Sequence, residues 1–177
     1  MSKTTIPTGG IADSAVTFAK ASGFGKVLQI VTTTTTTAFS TTSNTFTDCT
    51  PMTVDITPSA SNSKVLIVCN ANFGGSADNR TGVRLLRGST NIHQGADASN
   101  RQGVTTAHAN AEDNSIYNVA FQHLDSPSTT SETTYKLQVS AQTSGSETAY
   151  LNRTGNDSDD QYTKRPSSSI TVMEIGA

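Results

Sequence analysis

Apolar and polar residues alternate with a period of two through much of this chain, and few folds accommodate that. Met52, Val54 and Ile56 alternate with Thr53, Asp55 and Thr57, while Tyr135, Leu137, Val139 and Ala141 fall on one face of a second run. Successive side chains point to opposite faces of a strand, so such runs line a sheet with one buried and one wet face. Between the runs stand small polar clusters such as Pro58–Ser63 and Asp125–Ser131, which are turn material.

The remaining segments read the same way. Lys26–Thr33 carries Val27, Leu28, Ile30 and Val31, and leads into the Thr32–Thr37 run, low in complexity but rich in a good strand residue. Phe39 and Phe46 flank a Ser/Thr/Asn loop. Lys64–Phe73 is expected to be a more buried strand, paired as a hairpin with the Met52–Ile56 run, and Gly74-Gly75 to open a loop. Val83–Arg87, Thr90–His93, Ser115–Leu124, Thr133–Ala141, Ala149–Asn152 and Ser168–Ile175 complete a set of about eight to ten strands. Ile170, Val172, Met173 and Ile175 are core candidates in the last of them. The spacing predicts an all-β, jelly-roll-like antiparallel sandwich over residues 26–177.

Composition limits what surrounds that sandwich. Hydrophobic residues make up 33% and charged residues 15%, against averages of roughly 45–50% and 25%. Disorder is not the reading, because charge is low and β-branched residues are plentiful. So few apolar residues leave a lone sandwich short of buried surface, which oligomerisation would supply. Net charge is −2 and no Lys/Arg block exists, which argues against nucleic acid as a partner. No apolar run approaches the roughly 18 residues of a membrane span. The N-terminus lacks the hydrophobic stretch of a secretory signal, so a chain made and folded in a cytoplasm is expected. Cys49 and Cys69 are then expected as buried free thiols.

Residues 1–25 read differently. Residues 1–10 are polar and carry Pro7 and the Gly9-Gly10 pair, as an extended arm would. Ile11–Ala21 reads as one short helix with Ile11, Ala15, Phe18 and Ser22 on one face and Val16 and Ala19 beside it, stopping at Gly23. About three turns are too few for a stable helix in water, so the apolar face needs a partner. Attachment to another protein is one reading, with Ile6, Pro7, Ile11, Val16 and Phe18 as contacts; packing against its own copies in an oligomer and folding back on its own domain are the others.

Catalytic chemistry finds little footing. The chain has no G-x-S-x-G elbow and no phosphate-cradling G-x-x-x-x-G-K-[ST] loop. His93, His108 and His123 lie in different segments with no metal-ligand spacing. Asn156–Asp160 is a local acidic cluster that lacks the glycine and distal glutamate of a calcium loop. Neither Glu112-Asp113 nor Asp159-Asp160 can be placed by sequence at the roughly 5–9.5 Å that sugar cleavage requires. No enzyme, metal or cofactor is therefore expected. The long polar segments Asp78–Arg80, Gln94–Asn114 and Gly155–Arg165 are better candidates for recognition, with Arg80, Asn100, Arg101, His108, Asp157, Asp159 and Tyr162 suited to hydrogen bonding or stacking.

The order of motifs carries a resemblance. GKVLQIVTTTTTTAFSTTSNTF, MTVDITPSASNSKVLIVCNANFGG, GVRLLRGSTNI, TTYKLQVSAQTSG with YLNR, and SSITVMEIGA follow one another. Together they resemble a group of phage virion proteins, common in phages of cyanobacteria and other aquatic bacteria, that serve as tail-fibre or other particle-surface proteins. The upstream IPTGGIADSAVTFAK is similar to the IAD-x-AVT-x-AK stretches of phage fibre chains. The resemblance spans about residues 6–177. It implies a trimeric jelly roll of the tumour-necrosis-factor and complement-head type, sited in the virion and assembled in the host bacterium. The implied partners are itself as a homotrimer, another virion protein through the arm, and a host surface polysaccharide or protein. Many fibre chains place such a domain after a long repetitive shaft; here about 25 residues precede it, which leaves a capsid decoration or head-fibre role open beside the tail-fibre one. A small depolymerase is the third alternative.

Overall fold

The computed structural model describes residues 26–141 and 147–176. The expected arm, its helix and the attachment residues Ile6, Pro7, Ile11, Val16 and Phe18 lie outside the described residues. Within them the chain is all strand and loop. The strands are β1 (Lys26–Thr35), β2 (Phe39–Thr41), β3 (Thr47–Ile56), β4 (Lys64–Gly75), β5 (Arg80–Arg87), β6 (Thr90–His93), β7 (Thr106–Ala109), β8 (Ile116–Asp125), β9 (Thr133–Ala141), β10 (Ala149–Leu151) and β11 (Ser168–Gly176).

Two antiparallel sheets face each other. The six-stranded sheet runs β1-β11-β4-β10-β2, with β8 on the far side of β4; the five-stranded sheet runs β3-β9-β5-β6, with β7 also on β5. Several strands share a rank. β11 and β10 lie end to end along one edge of β4, covering Lys64–Asn70 and Phe73–Gly75, and β8 covers its other edge from Val65 to Gly74. β1 and β2 lie end to end beyond them. On the other sheet β7 and β6 share the far edge of β5. Taken as ranks, each sheet is four strands deep.

Alternation places the core where the sequence reading put it. Met52, Val54 and Ile56 on β3 and Tyr135, Leu137, Val139 and Ala141 on β9 are buried, facing Val65, Ile67, Cys69, Ala71 and Phe73 of β4 and Ile170 and Val172 of β11. Cys49 breaks the β3 period yet is also buried. The register slips between Asp48 and Thr53 opposite β9, and this bulge contains Pro51, which has no N–H to give a ladder. Both cysteines are free and buried; burial pushes both thiols up, Cys69 to about 12.

Three local expectations are corrected. Met52–Phe73 is not a hairpin: β3 pairs with β9 and β4 pairs with β8, β10 and β11, so Thr57–Ser63 carries the chain from one sheet to the other. A turn cluster between two apolar runs looks alike whether it folds within one sheet or across two. Met173 and Ile175 are only half-buried, because β11 turns Ile170, Val172 and Glu174 inward. Gly74 and Gly75 are the last residues of β4, so the expected loop begins two residues later, at Ser76.

The inward glutamate is anchored by donors. Glu174 accepts from the Ser59 backbone N–H at 2.8 Å, the Ser59 hydroxyl at 2.7 Å and the Gln29 amide at 2.7 Å. Burial raises its pKa, but these hydrogen bonds outweigh that and hold the carboxyl at about 2, below the ordinary 4.5. A depressed carboxylate contributes stability above its unfolded pKa and loses it as pH falls. The native chain should therefore lose melting temperature as pH drops from 4.5 toward 2, and Glu174→Gln should remove that part of the acid sensitivity. Parallel melting-temperature curves for the two proteins across this window would refute the assignment.

Candidate functional site

Chain direction sorts the loops. Lys26 pairs with Gly176, and these lie at the end of the six-stranded sheet where β4 begins at Lys64 and β8 ends at Asp125. Ser76–Asn79, Asn110–Ser115 and the chain before β10 gather at the opposite end, where β4 finishes at Gly75. They interlock. Asp113 Oδ1 accepts from Ala77 N at 2.5 Å, Asn110 N donates to Asn79 O at 2.8 Å, and Asn156 N donates to Asp113 O at 3.1 Å. The Gly74-Gly75 pair makes this possible. A β-carbon on Gly74 would collide with the Arg153 carbonyl oxygen, and one on Gly155 with the Gly75 carbonyl oxygen.

Segment 152–167 is an excursion from a single rank. Asn152 N donates to Asn72 O at 2.9 Å on leaving, and Asn72 N donates to Ser168 Oγ at 2.9 Å on return. The Ser168 hydroxyl bonds Asn152 Oδ1 at 2.5 Å. Asn152 is buried with φ 59, a left-handed conformation that asparagine tolerates. Its amide also donates to Thr35 O and Thr37 O, at the break between β1 and β2. Beyond this knot Asp157 ties the loop together, bonding Arg153 at 2.7 Å and Arg165 at 2.5 Å. Both cations hold its carboxyl below the usual range, Arg165 most strongly. Arg153 lies over the Tyr150 ring, 3.9 Å from its centroid. A shallow concavity of about 230 Å³ between Phe39, Tyr150, Arg153 and Asp157 opens beside them.

The expected recognition residues divide into groups. Asp157, Asp159 and Tyr162 do lie on this excursion, and Tyr162 is 66% exposed. Asp157 is not a free ligand, since its oxygens serve two arginines. Arg80 is on β5, not on a loop, and its guanidinium reaches Asp78 O. His108 is corrected too: Gln94–Asn114 contains β7, where His108 pairs opposite Thr81 and stacks on Tyr117 at 5.0 Å. Burial pushes its imidazole down to about 4, so it is a packed neutral ring and not a loop contact. Asn100 and Arg101 lie apart from the others, at the tip of a second excursion that interrupts the β6–β7 rank. There Ala98 and Arg101 exchange backbone bonds and Ser99 has φ 56.

Three features escaped the sequence reading. His93 on β6 and His123 on β8 come together at 4.8 Å across the seam between the sheets; burial first, then His93, lowers the His123 pKa, and Asp125 opposes that. Arg153 and Tyr150 form part of the concavity, and Asp113 is a loop anchor. Only long-range pairing brings these residues together, so nothing in their spacing marks them. Among the described residues no group of three or more His, Cys, Asp or Glu is placed to hold a metal ion. No helix of the described chain is long and apolar enough to cross a membrane.

No protein family matches the sequence, and no curated protein does. Among solved structures, the chain is similar to one of the infectious bursal disease virus Gx strain, with TM-score 0.42 and 13% identity over 85% of this chain and 38% of that one. It is also similar to the VP2 subviral particle of infectious bursal disease virus, with TM-score 0.34 and 12% identity over 84% of this chain and 40% of the other. Such distant likeness assigns no family. The chain spans about two fifths of the length of those chains.

Proposed function

We propose that this chain is a structural component of a bacteriophage particle, a short trimeric fibre or host-adhesion knob that does no catalysis. The observation that carries the reading is polarity. The described chain starts at Lys26 beside Gly176, at one end of a rigid sandwich, while the loops that lock around Gly74-Gly75 lie at the other. A protein held through residues 1–25 would present those loops outward, where a host polysaccharide or protein would meet them. The order of sequence motifs shared with phage particle proteins supplies the setting.

The fold in this proposal is a jelly roll. Numbering the ranks along the chain gives 1-8-3-6 in one sheet and 2-7-4-5 in the other, the order of two interlocked Greek keys, which supports it.

Deleting residues 1–23 tests the reading. The truncated chain is expected to fold, with an unchanged cooperative thermal transition, and to be missing from purified particles. If the truncated chain fails to fold, the segment belongs to the core and the attachment idea falls. A cryo-electron-microscopy map then counts copies. A few three-fold clusters at the tail fit a fibre, whereas occupancy of the icosahedral shell would replace the adhesion reading with a decoration protein.

A further inference from the structure

All three histidines of the chain lie along one margin of the sandwich, where β8 at the edge of the six-stranded sheet meets β6 and β7 at the edge of the five-stranded one. β8 meets the opposite sheet at three levels. At its end Asp125 takes Arg87 and the Tyr135 hydroxyl. Near its start Tyr117 stacks on His108 of β7, with 5.0 Å between ring centroids. Between these levels His123 meets His93 of β6 at 4.8 Å, and Phe121 lies 6.0 Å from the His93 ring as an apolar floor.

The middle level is chemically unlike the other two. His93 and His123 are both half-buried, and no described residue hydrogen-bonds either imidazole. The His108 ring nitrogens are sealed from water, whereas those of His93 and His123 are not. Ring packing alone brings two imidazoles this close. Each neutral imidazole, however, carries an unshared nitrogen lone pair, and here two of them come together from opposite sheets. Burial, then the neighbouring His93, lowers the His123 pKa, which favours the neutral ring. Asp125, on the same face of β8, is the carboxylate that acts on His123. Its oxygens are committed to Arg87 and Tyr135, so it adds negative potential without being a ligand.

Distance decides what the pair fits. A zinc-class ion lies about 2.1 Å from an imidazole nitrogen, hence roughly 3.2 Å from the ring centroid, and ligand angles of about 90–110° then put two centroids roughly 4.5–5.3 Å apart. The observed 4.8 Å falls inside that span. We propose that His93 and His123 together bind a divalent, imidazole-seeking metal ion such as zinc, with water completing its coordination, and that the ion ties β6 to β8. Two protein ligands make an exchangeable site, unlike the closed four-ligand sites of structural zinc. The spacing of the histidines in the sequence argues against a metal; the fold supplies the convergence that the spacing lacks. The link also steadies a candidate recognition loop. The excursion bearing Asn100 and Arg101 leaves β6 directly after His93, and its root is held by Thr105 Oγ1 donating to His93 O and Gly95 N donating to Val104 O at 3.0 Å.

The experiment titrates the full-length chain with zinc chloride at neutral pH, with magnesium chloride as the oxygen-seeking control. Calorimetry reads binding, melting temperature reads stability, and proton–nitrogen correlation NMR reads the three imidazoles. One zinc per chain is expected, with a melting temperature that rises with zinc and not with magnesium. His93→Gln and His123→Gln should each weaken zinc binding by more than the roughly tenfold that losing a supporting residue costs a metal site, and His108→Gln should leave it unchanged. Where a variant misfolds, the parent's spectrum decides: zinc should shift the His93 and His123 rings and leave His108 in place. Zinc that fails to bind up to millimolar concentration, binds both variants as it binds the parent, or moves the His108 ring alone would overturn the site. Binding that leaves the melting temperature unchanged or lowers it, or one zinc shared by several chains, would overturn the link between the sheets.

Discussion

Leu137→Ala should lower the unfolding free energy by about 2–5 kcal/mol, read from urea or thermal denaturation of the isolated protein. Leu137 is completely buried in the middle of β9, flanked on its face by Tyr135 and Val139 and paired with Leu85 of β5. On its other side β3 makes the bulge between Asp48 and Thr53. A cavity there cannot close easily, because the strands on both sides are fixed by their own ladders. The cost therefore includes lost transfer energy and a residual void. A loss under about 0.5 kcal/mol, the scale of an ordinary surface substitution, would mean that the faces of β9 are assigned the wrong way round.

Asp125→Ala should cost about 2–4 kcal/mol. Asp125 ends β8, and its carboxylate takes Arg87 Nη1 at 2.8 Å on each oxygen and the Tyr135 hydroxyl at 2.7 Å. Arg87 and Tyr135 belong to the opposite sheet, so this cluster ties the two layers together at the end where the described chain begins. Burial, reinforced by the neighbouring carboxylate, pushes the Tyr135 phenol upward and keeps it a donor. Removing Asp125 leaves that hydroxyl buried without its acceptor. Arg87 is 30% exposed and can turn to water, which keeps the cost below that of a fully enclosed pair. Tyr135→Phe in the Asp125→Ala background supplies a double-mutant cycle. Additive losses would show that the hydroxyl and the carboxylate act independently.

What was legible in the sequence was whatever a single strand decides for itself. The bounds of β9 and the inward sets on β3 and β9 follow from alternation, and the start of β6 from the Gly88-Ser89 turn, since each needs only its own residues. The pairing of β3 with β9, about eighty residues away in the chain, carries no local signal. The same holds for His93 beside His123 and for the Asp125 cluster. Glu174 shows the limit from the other side. A charged residue at an inward position reads as a face change, and it is the donors around it, those of Ser59 and Gln29 among them, that offset the cost of its burial. In the candidate site, the excursion bearing Asp157 and Tyr162 was visible as a long polar stretch. The role of Asp157 as a clasp between two arginines was not, and neither was the β-strand around His108.

Because segment 152–167 departs and returns between neighbouring rungs of one ladder, its length is uncoupled from the phase of the sheet. Asn152 and Ser168 close the gap through the same residue, Asn72. An insertion of any size, odd or even, would leave every inward residue of β10 and β11 where it is, whereas one extra residue inside either strand would turn the rest of it inside out. The loop beyond the Gly155 and Asn156 anchors could therefore change in length without shifting the phase of either strand, and an engineer could graft a foreign peptide there while keeping the scaffold intact.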